Sequence, residues 1–228
     1  MKKGTLIVIE GTDGVGKSTQ FARLCERAEA EGVPFRRLVF PQYEEPSSAL
    51  IRMYLAGEFG KKPGDVNPYA ASAFYAVDRY ASWKKVWQDW YRAGGLVLAD
   101  RYTTSNAVHQ TGKLGEAEQG PFLDWLRDFE YEKLGLPEPD LVLLLDMPTE
   151  RSEAMLRRRE TETRTKGDIH ETDSAYLAAC RAAAQTAAER WGWRKVSCLN
   201  EAGEMRSVKE IHEEIWQAVR PLLERKGE

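Results

Sequence analysis

Residues 5–20 read Thr5-Leu6-Ile7-Val8-Ile9-Glu10-Gly11-Thr12-Asp13-Gly14-Val15-Gly16-Lys17-Ser18-Thr19-Gln20, and this stretch decides the fold. It opens on a short apolar run, long enough for one buried strand and too short for a secretory leader or a membrane span. Residues 11–18 then fit GxxxxGK[ST] in full. The pattern gains meaning from its setting, because it follows a strand and opens a helix. Glycines let backbone N–H groups turn inward around phosphate oxygens, and the helix N-terminus adds partial positive charge, worth ~0.3–1 kcal/mol on its own. Gly11, Thr12, Asp13, Gly14, Val15, Gly16, Lys17, Ser18 and Thr19 are therefore the expected triphosphate cradle. Lys17 would reach the β- and γ-phosphates, and the Ser18 hydroxyl would ligand Mg²⁺.

Outward from this loop, Phe21, Leu24, Cys25 and Ala28 recur at helical spacing and Gly32 supplies the stop. Further short apolar runs at 37–40, 96–99, 141–145 and 195–199 predict four more strands. Between them, Asn67 and Pro68 read as helix cap and first helical residue, opening a long helix that ends at Gly94-Gly95. Helices are also expected over residues 149–160 and 207–225. Alternation of this kind, with right-handed crossovers, gives a three-layer, doubly wound α/β fold of the P-loop NTPase type: five parallel strands flanked by helices. The 228 residues suit one domain spanning 1–228, with a polar, Thr-rich, charged flap or lid at about 158–172.

Composition removes several function classes. The formal net charge is −3, with 33 basic against 36 acidic groups, so no basic track for nucleic acid is expected. Cys25, Cys180 and Cys198 are scattered and odd in number, which disfavours a disulfide framework or a thiolate metal site and fits the cytoplasm. No run approaches the ~20 apolar residues of a membrane span, so a soluble protein without membrane partners is expected.

The predicted strand at 96–99 delivers Asp100 and Arg101 at its carboxyl end, where open α/β sheets bind ligands. A carboxylate there suits a Walker-B role toward Mg²⁺, and the arginine suits an acceptor phosphate. The P-loop stretch, then Asp100-Arg101-Tyr102-Thr103-Thr104-Ser105, together resemble bacterial thymidylate kinases. Phe40-Pro41, Tyr75-Ala76-Val77-Asp78-Arg79 and Leu145-Asp146-Met147-Pro148 extend the resemblance over most of the chain. The resemblance implies a nucleoside monophosphate kinase that moves the γ-phosphate of ATP onto dTMP, with Mg²⁺, as a homodimer. It also implies the acceptor site. Tyr75 and Arg79, one helical turn apart, match the family's aromatic and arginine that hold the base, with Phe74 as the alternative stacking ring. Ser105 matches a position near the base edge, and Asp13 the acid that approaches the sugar 3′-hydroxyl.

The sequence departs from that family in places. Phe40-Pro41-Gln42-Tyr43 lacks the FPxR arginine that binds the acceptor phosphate, and Arg52 on the next helix is its substitute. His109 stands where the family has Tyr or Phe near the position that rejects a 2′-hydroxyl. Gly14 occupies a loop position that carries arginine in some members; glycine there predicts catalysis by a lid arginine, with Arg159 and Arg164 favoured over Arg157 and Arg158. The catalytic set expected is thus Lys17, Asp100, Arg101, Arg159 and Arg164, with Ser18 and Asp100 toward the metal. A deoxynucleoside kinase or a non-catalytic nucleotide sensor would share the loop; the chain has no Asn-Lys-x-Asp motif of a GTPase.

Overall fold

The structure, a computed structural model, describes residues 3–163 and 173–224. Its centre is a five-stranded, all-parallel sheet: β1 (Thr5–Glu10), β2 (Phe35–Val39), β3 (Leu96–Asp100), β4 (Leu141–Asp146) and β5 (Arg194–Ser197), in spatial order β2-β3-β1-β4-β5. The strands alternate their side chains between two cores. Leu6, Val8, Val97, Ala99 and Leu144 face one core. Ile7, Ile9, Leu96, Leu98 and Leu143 face the other. Both faces of the sheet are thus covered by helices, which is why the inner strands β1, β3 and β4 read as near-continuous apolar runs.

One covering layer consists of α1 (Lys17–Ala30) and, near the chain's end, α9 (Val208–Glu224), which pack through Phe21, Leu24, Ile211, Ile215 and Val219. The opposite layer holds α3 (Pro68–Ser82), α5 (Thr103–His109), α6 (Glu116–Arg127) and α8 (Ser174–Trp191), with α2 (Ala49–Leu55) beside α3. The Asn67 side chain accepts from Ala70 N at 2.9 Å, and Pro68 follows it, as the sequence predicts. The long helix is not continuous: a π-turn at Trp83–Trp87 separates α3 from α4 (Gln88–Arg92). There the buried indoles of Trp83 and Trp87 pack edge-to-face at 4.5 Å. The remaining helix, α7 (Thr149–Thr163), runs three residues beyond its expected end and into the expected lid, whose residues 164–172 lie outside the described residues.

Strand bounds differ from expectation by one or two residues: β2 covers 35–39 rather than 37–40, β5 covers 194–197 rather than 195–199, and β1, β3 and β4 each run one residue further. β2 is an edge strand whose exposed Arg36 and Arg37 lie over the rings of Trp90 and Phe21, each at 5.3 Å. Their apolar stems serve as strand surface, a role the charge conceals.

Candidate active site

The order β2-β3-β1 puts the carboxyl ends of β1 and β3 side by side, with Ile9 opposite Asp100. The loop between β1 and α1 is built on glycines in conformations other residues rarely adopt: Gly14 has φ 82° and Gly16 φ 90°. α1 starts directly after Gly16 with no side-chain cap, so its first amides are left for a ligand. Lys17 Nζ donates to Thr12 O at 2.7 Å and lies 3.6 Å from Asp13 Oδ1. Burial, with Arg101 adding to it, pushes the Lys17 ammonium below its usual range. A triphosphate entering this cradle would favour the charged form. A Cβ at Gly14 would lie 2.4 Å from Ser152 O and 2.9 Å from Leu156 Cγ, so the base of α7 presses on the loop. No side chain fits at that position without moving α7.

In front of the loop opens a cleft of about 450 Å³. Asp13, Lys17, Ser18, Tyr75, Arg79, Asp100, Arg101, Ser105 and His109, all expected from the sequence, line it together. Arg101 stands between the two ends and adopts a left-handed backbone, φ 67°, which a non-glycine residue holds only when its surroundings enforce it. Its N–H donates to Ile9 O at 3.1 Å. Its guanidinium contacts Asp13 directly, lies 3.4 Å from Ser105 Oγ and 3.1 Å from His109 Nε2. Burial opposes its charge, but Asp13, Glu10 and Asp100 outweigh burial and hold the proton more firmly than usual. Because a guanidinium only donates, a hydrogen bond between the two uses His109 Nε2 as acceptor. His109 thereby serves Arg101, and its backbone carbonyl accepts from Tyr176 Oη at 2.8 Å.

Asp100 is buried, and its Oδ1 has no hydrogen-bond partner among the described residues. An orphaned carboxylate oxygen in the wall that also carries Ser18 fits a divalent cation. No cluster of three or more His, Cys, Asp or Glu among the described residues would hold one alone, so such an ion would share its coordination with phosphate oxygens.

At the far end of the cleft from the loop Tyr75 lines the wall, whereas Phe74 packs against Tyr54 and Phe59 at 6.5 and 5.7 Å and does not. Arg79 reaches the cleft from deep burial, its fork closed on Glu130 at 2.7 and 2.5 Å and its Nη1 3.4 Å from Tyr102 O. Arg52 is not part of the lining. Its Nη1 gathers Tyr43 O, Ser48 Oγ and Glu45 O at 2.6, 2.5 and 3.2 Å, bracing the segment that presents Tyr43 to the cleft. Asp78 helps hold that segment, accepting from Gln42 N and Ser47 Oγ. Arg157 and Arg158 are exposed on α7; the side chain of Arg159, and Arg164 entirely, lie outside the described residues.

Three residues of this site are not apparent from the sequence motifs. Glu10, fully buried, accepts from Thr104 Oγ1 at 2.6 Å, Ser105 Oγ at 2.7 Å and Gly11 N at 3.0 Å. A charge closing an apolar strand is its signal. Asn106 lines the cleft one residue past the Asp100–Ser105 motif. Glu130, also fully buried, has no local signal and sits in a π-turn (Asp128–Lys133) at the end of α6.

The family model for thymidylate kinase matches residues 9–215. The chain is 34% identical over 195 residues to the thymidylate kinase of Mycobacterium tuberculosis, covering 83% of this chain and 88% of that one. It is 32% identical over 146 residues to the human thymidylate kinase, covering 64% and 62%. Among solved structures, the thymidylate kinase of Candida albicans superposes with a TM-score of 0.64 at 21% identity, over 96% of this chain and 92% of the other, a likeness of fold.

Proposed function

The chain belongs to the thymidylate kinase family, and from that premise we propose how its own residues carry the ATP-dependent phosphorylation of dTMP to dTDP. The observation that supports the assignment best is the Arg101 guanidinium, in contact with Asp13 of the phosphate loop and facing the same cleft as Tyr75 and Arg79. It ties the donor end of the site to the acceptor end. ATP would lie with its phosphates on the loop amides and Lys17. The acceptor's base would stack on Tyr75 beside Arg79, its sugar would approach Asp13, and its phosphate would meet Arg101. Ser105 acts through Glu10 and Arg101 more than by touching the base. Arg52 supports the acceptor side by fixing Tyr43.

No covalent nucleophile is required. The acceptor phosphate is already an anion, so catalysis consists of aligning two nucleotides and neutralising the charge they bring together. Lys17 and Arg101 provide two of the cations. Mg²⁺, held by Ser18 and Asp100 together with phosphate oxygens, would supply Lewis-acid charge to the transferring phosphoryl group. A further arginine would come from the lid: the loop itself has no room for a side chain at position 14, α7 rises from that contact with exposed Arg157 and Arg158, and Arg159 and Arg164 follow in the sequence. An arginine in that role is worth ~10³–10⁵ in rate in related phosphoryl transfer.

The protein acts as one domain and as a cytoplasmic homodimer in this reading. Its three cysteines are buried free thiols, which suits a reducing compartment. Tyr69, Val77 and Tyr80 form an exposed apolar face along α3, at spacing that keeps them on one side of the helix. Light scattering on the purified protein tests the dimer. Coupled ADP release with dTMP, dUMP, dCMP, dGMP, UMP and thymidine tests the reaction; no acceptor-dependent turnover with dTMP would overturn it.

A further inference from the structure

Glu130 lies outside the cleft lining and touches neither the phosphate loop nor Asp100, yet four donors converge on it among the described residues. Arg79 Nε and Nη2 donate at 2.7 and 2.5 Å, Thr103 Oγ1 at 2.7 Å and Asn106 Nδ2 at 3.1 Å. Three separate segments thus meet at one carboxylate: α3, the start of α5, and the π-turn that follows α6. Asn106 Nδ2 has a second acceptor, Ser72 O at 3.2 Å. Both amide protons therefore point at acceptors, and the reversed amide would aim its oxygen at a carbonyl and a carboxylate. Only one orientation is compatible, and it leaves Oδ1 to the cleft that Asn106 lines. Arg79 spends Nε and one Nη2 proton on Glu130 and one Nη1 proton on Tyr102 O, which leaves one N–H on each outer nitrogen of a side chain that lines the same cleft.

Resting on the reading of this end of the cleft as the acceptor-base site, we propose that Glu130 is a positioning residue that sets pyrimidine selectivity by fixing the Asn106 amide and the Arg79 guanidinium. The wall then offers an acceptor, Asn106 Oδ1, next to a donor, Arg79. A thymine or uracil edge presents N3–H next to a carbonyl oxygen and matches both. A cytosine edge presents an unprotonated N3 next to an amino group and meets each partner with its own kind. Discrimination of this sort is strong because the wrong base leaves buried polar groups unpaired.

Glu130→Gln tests the proposal. The glutamine keeps the shape but adds an amide donor where four donors converge, so the Asn106 amide is no longer held one way. Dissociation constants for dTMP, dCMP and ATP are measured by calorimetry on the full chain, beside the wild type. The proposal expects the dCMP-to-dTMP ratio to fall by about tenfold or more, while the ATP constant stays within about twofold. A carboxylate that merely holds the fold together would weaken both pyrimidine nucleotides alike, and an unchanged ratio in the folded variant overturns the proposal. Glu130→Asp keeps the charge that Arg79 requires and withdraws the carboxylate by one methylene; it serves where the glutamine variant fails to fold, with the same ratio expected to fall and the same refutation. Tyr75→Ala separates the base-site reading from the positioning role. If it and Asn106→Ala leave dTMP binding untouched, the base-site reading is wrong and the role of Glu130 falls with it. If both weaken dTMP while Glu130→Gln preserves the ratio, only the positioning role falls.

Discussion

Gly14 and Gly16 share a left-handed backbone but not a neighbourhood, and that contrast yields a quantitative expectation. At Gly16 a Cβ meets nothing within 4 Å, so Gly16→Ala pays only for conformation. That strain is about 1–2 kcal/mol. At Gly14 the same strain applies, but the Cβ also lands 2.4 Å from the Ser152 carbonyl, a backbone atom inside α7 that cannot rotate away. Overpacking of a rigid neighbour adds about 1–3 kcal/mol, giving about 2–5 kcal/mol for Gly14→Ala. For a domain of this size each kcal/mol lowers Tm by roughly 2–4 °C. Gly16→Ala should then cost about 2–8 °C and Gly14→Ala about 4–20 °C, with Gly14→Ala the more damaging of the pair. Thermal unfolding by circular dichroism without nucleotide measures both, free of any effect on ATP binding. Equal shifts for the two variants would refute the contact between α7 and the loop, and with it the inference that catalysis must draw its extra arginine from the lid.

Three other expectations are independent of that contact. Lys17→Ala should abolish dTMP-dependent ADP release while leaving the circular dichroism spectrum unchanged; a fully active variant would remove the loop's assigned role. Burial pushes Lys113, bonded to Tyr54 Oη at 2.9 Å and Val66 O at 3.1 Å, down to about 8 from the ordinary 10.5. Between those values the unfolded chain holds the extra proton, so this lysine makes the native state more stable as pH rises through that window. The stability of wild type minus that of Lys113→Met, from urea unfolding, should grow by about 2 kcal/mol between pH 7 and 9.5, and a pH-independent difference would contradict it. Burial likewise raises the Cys25 and Cys198 thiols to about 11 and Cys180 to about 12, so a disulfide reagent at pH 8 should find none of the three until the chain is unfolded. Rapid labelling of the native protein would show that one of these sites opens.

The central sheet and its loop are legible in the sequence because each strand buried on both faces is a dense apolar run, and because Gly-Lys-Ser after such a run has few other uses. α8 is not. Beyond Tyr176 and Leu177 its buried face is Cys180, Ala183, Ala184, Ala187 and Ala188, and Ala175, Ala178 and Ala182 lie on its exposed face, so burial leaves little hydrophobic contrast at helical period. The π-turn at Trp83–Trp87 is illegible for another reason: apolar spacing does not distinguish a five-residue turn from a four-residue one when both place an indole inward.

The site divides along a similar line. The groups that face a ligand sit in short motifs, so Lys17, Asp100 and Arg101 can be named from their spacing and setting, and Tyr75 and Arg79 from the family resemblance. The carboxylates behind them cannot, although the arginines demand them. A guanidinium as buried as Arg79 requires a counter-charge, because an unpaired charge in such a place is costly enough to unfold a domain. Sequence therefore announces that a partner exists, yet 36 acidic residues compete for the role. Topology selects Glu130, 51 residues away, by bringing the π-turn after α6 against α3. Glu10 is the easier case, since it ends β1 beside the very loop it supports. Removing either member of a buried pair alone leaves the other charge stranded, at about 3–5 kcal/mol. A single exchange of Arg79 or Glu130 therefore lowers stability as well as disturbing the site, and the chemistry that the arginine offers the cleft depends on a carboxylate outside the cleft lining.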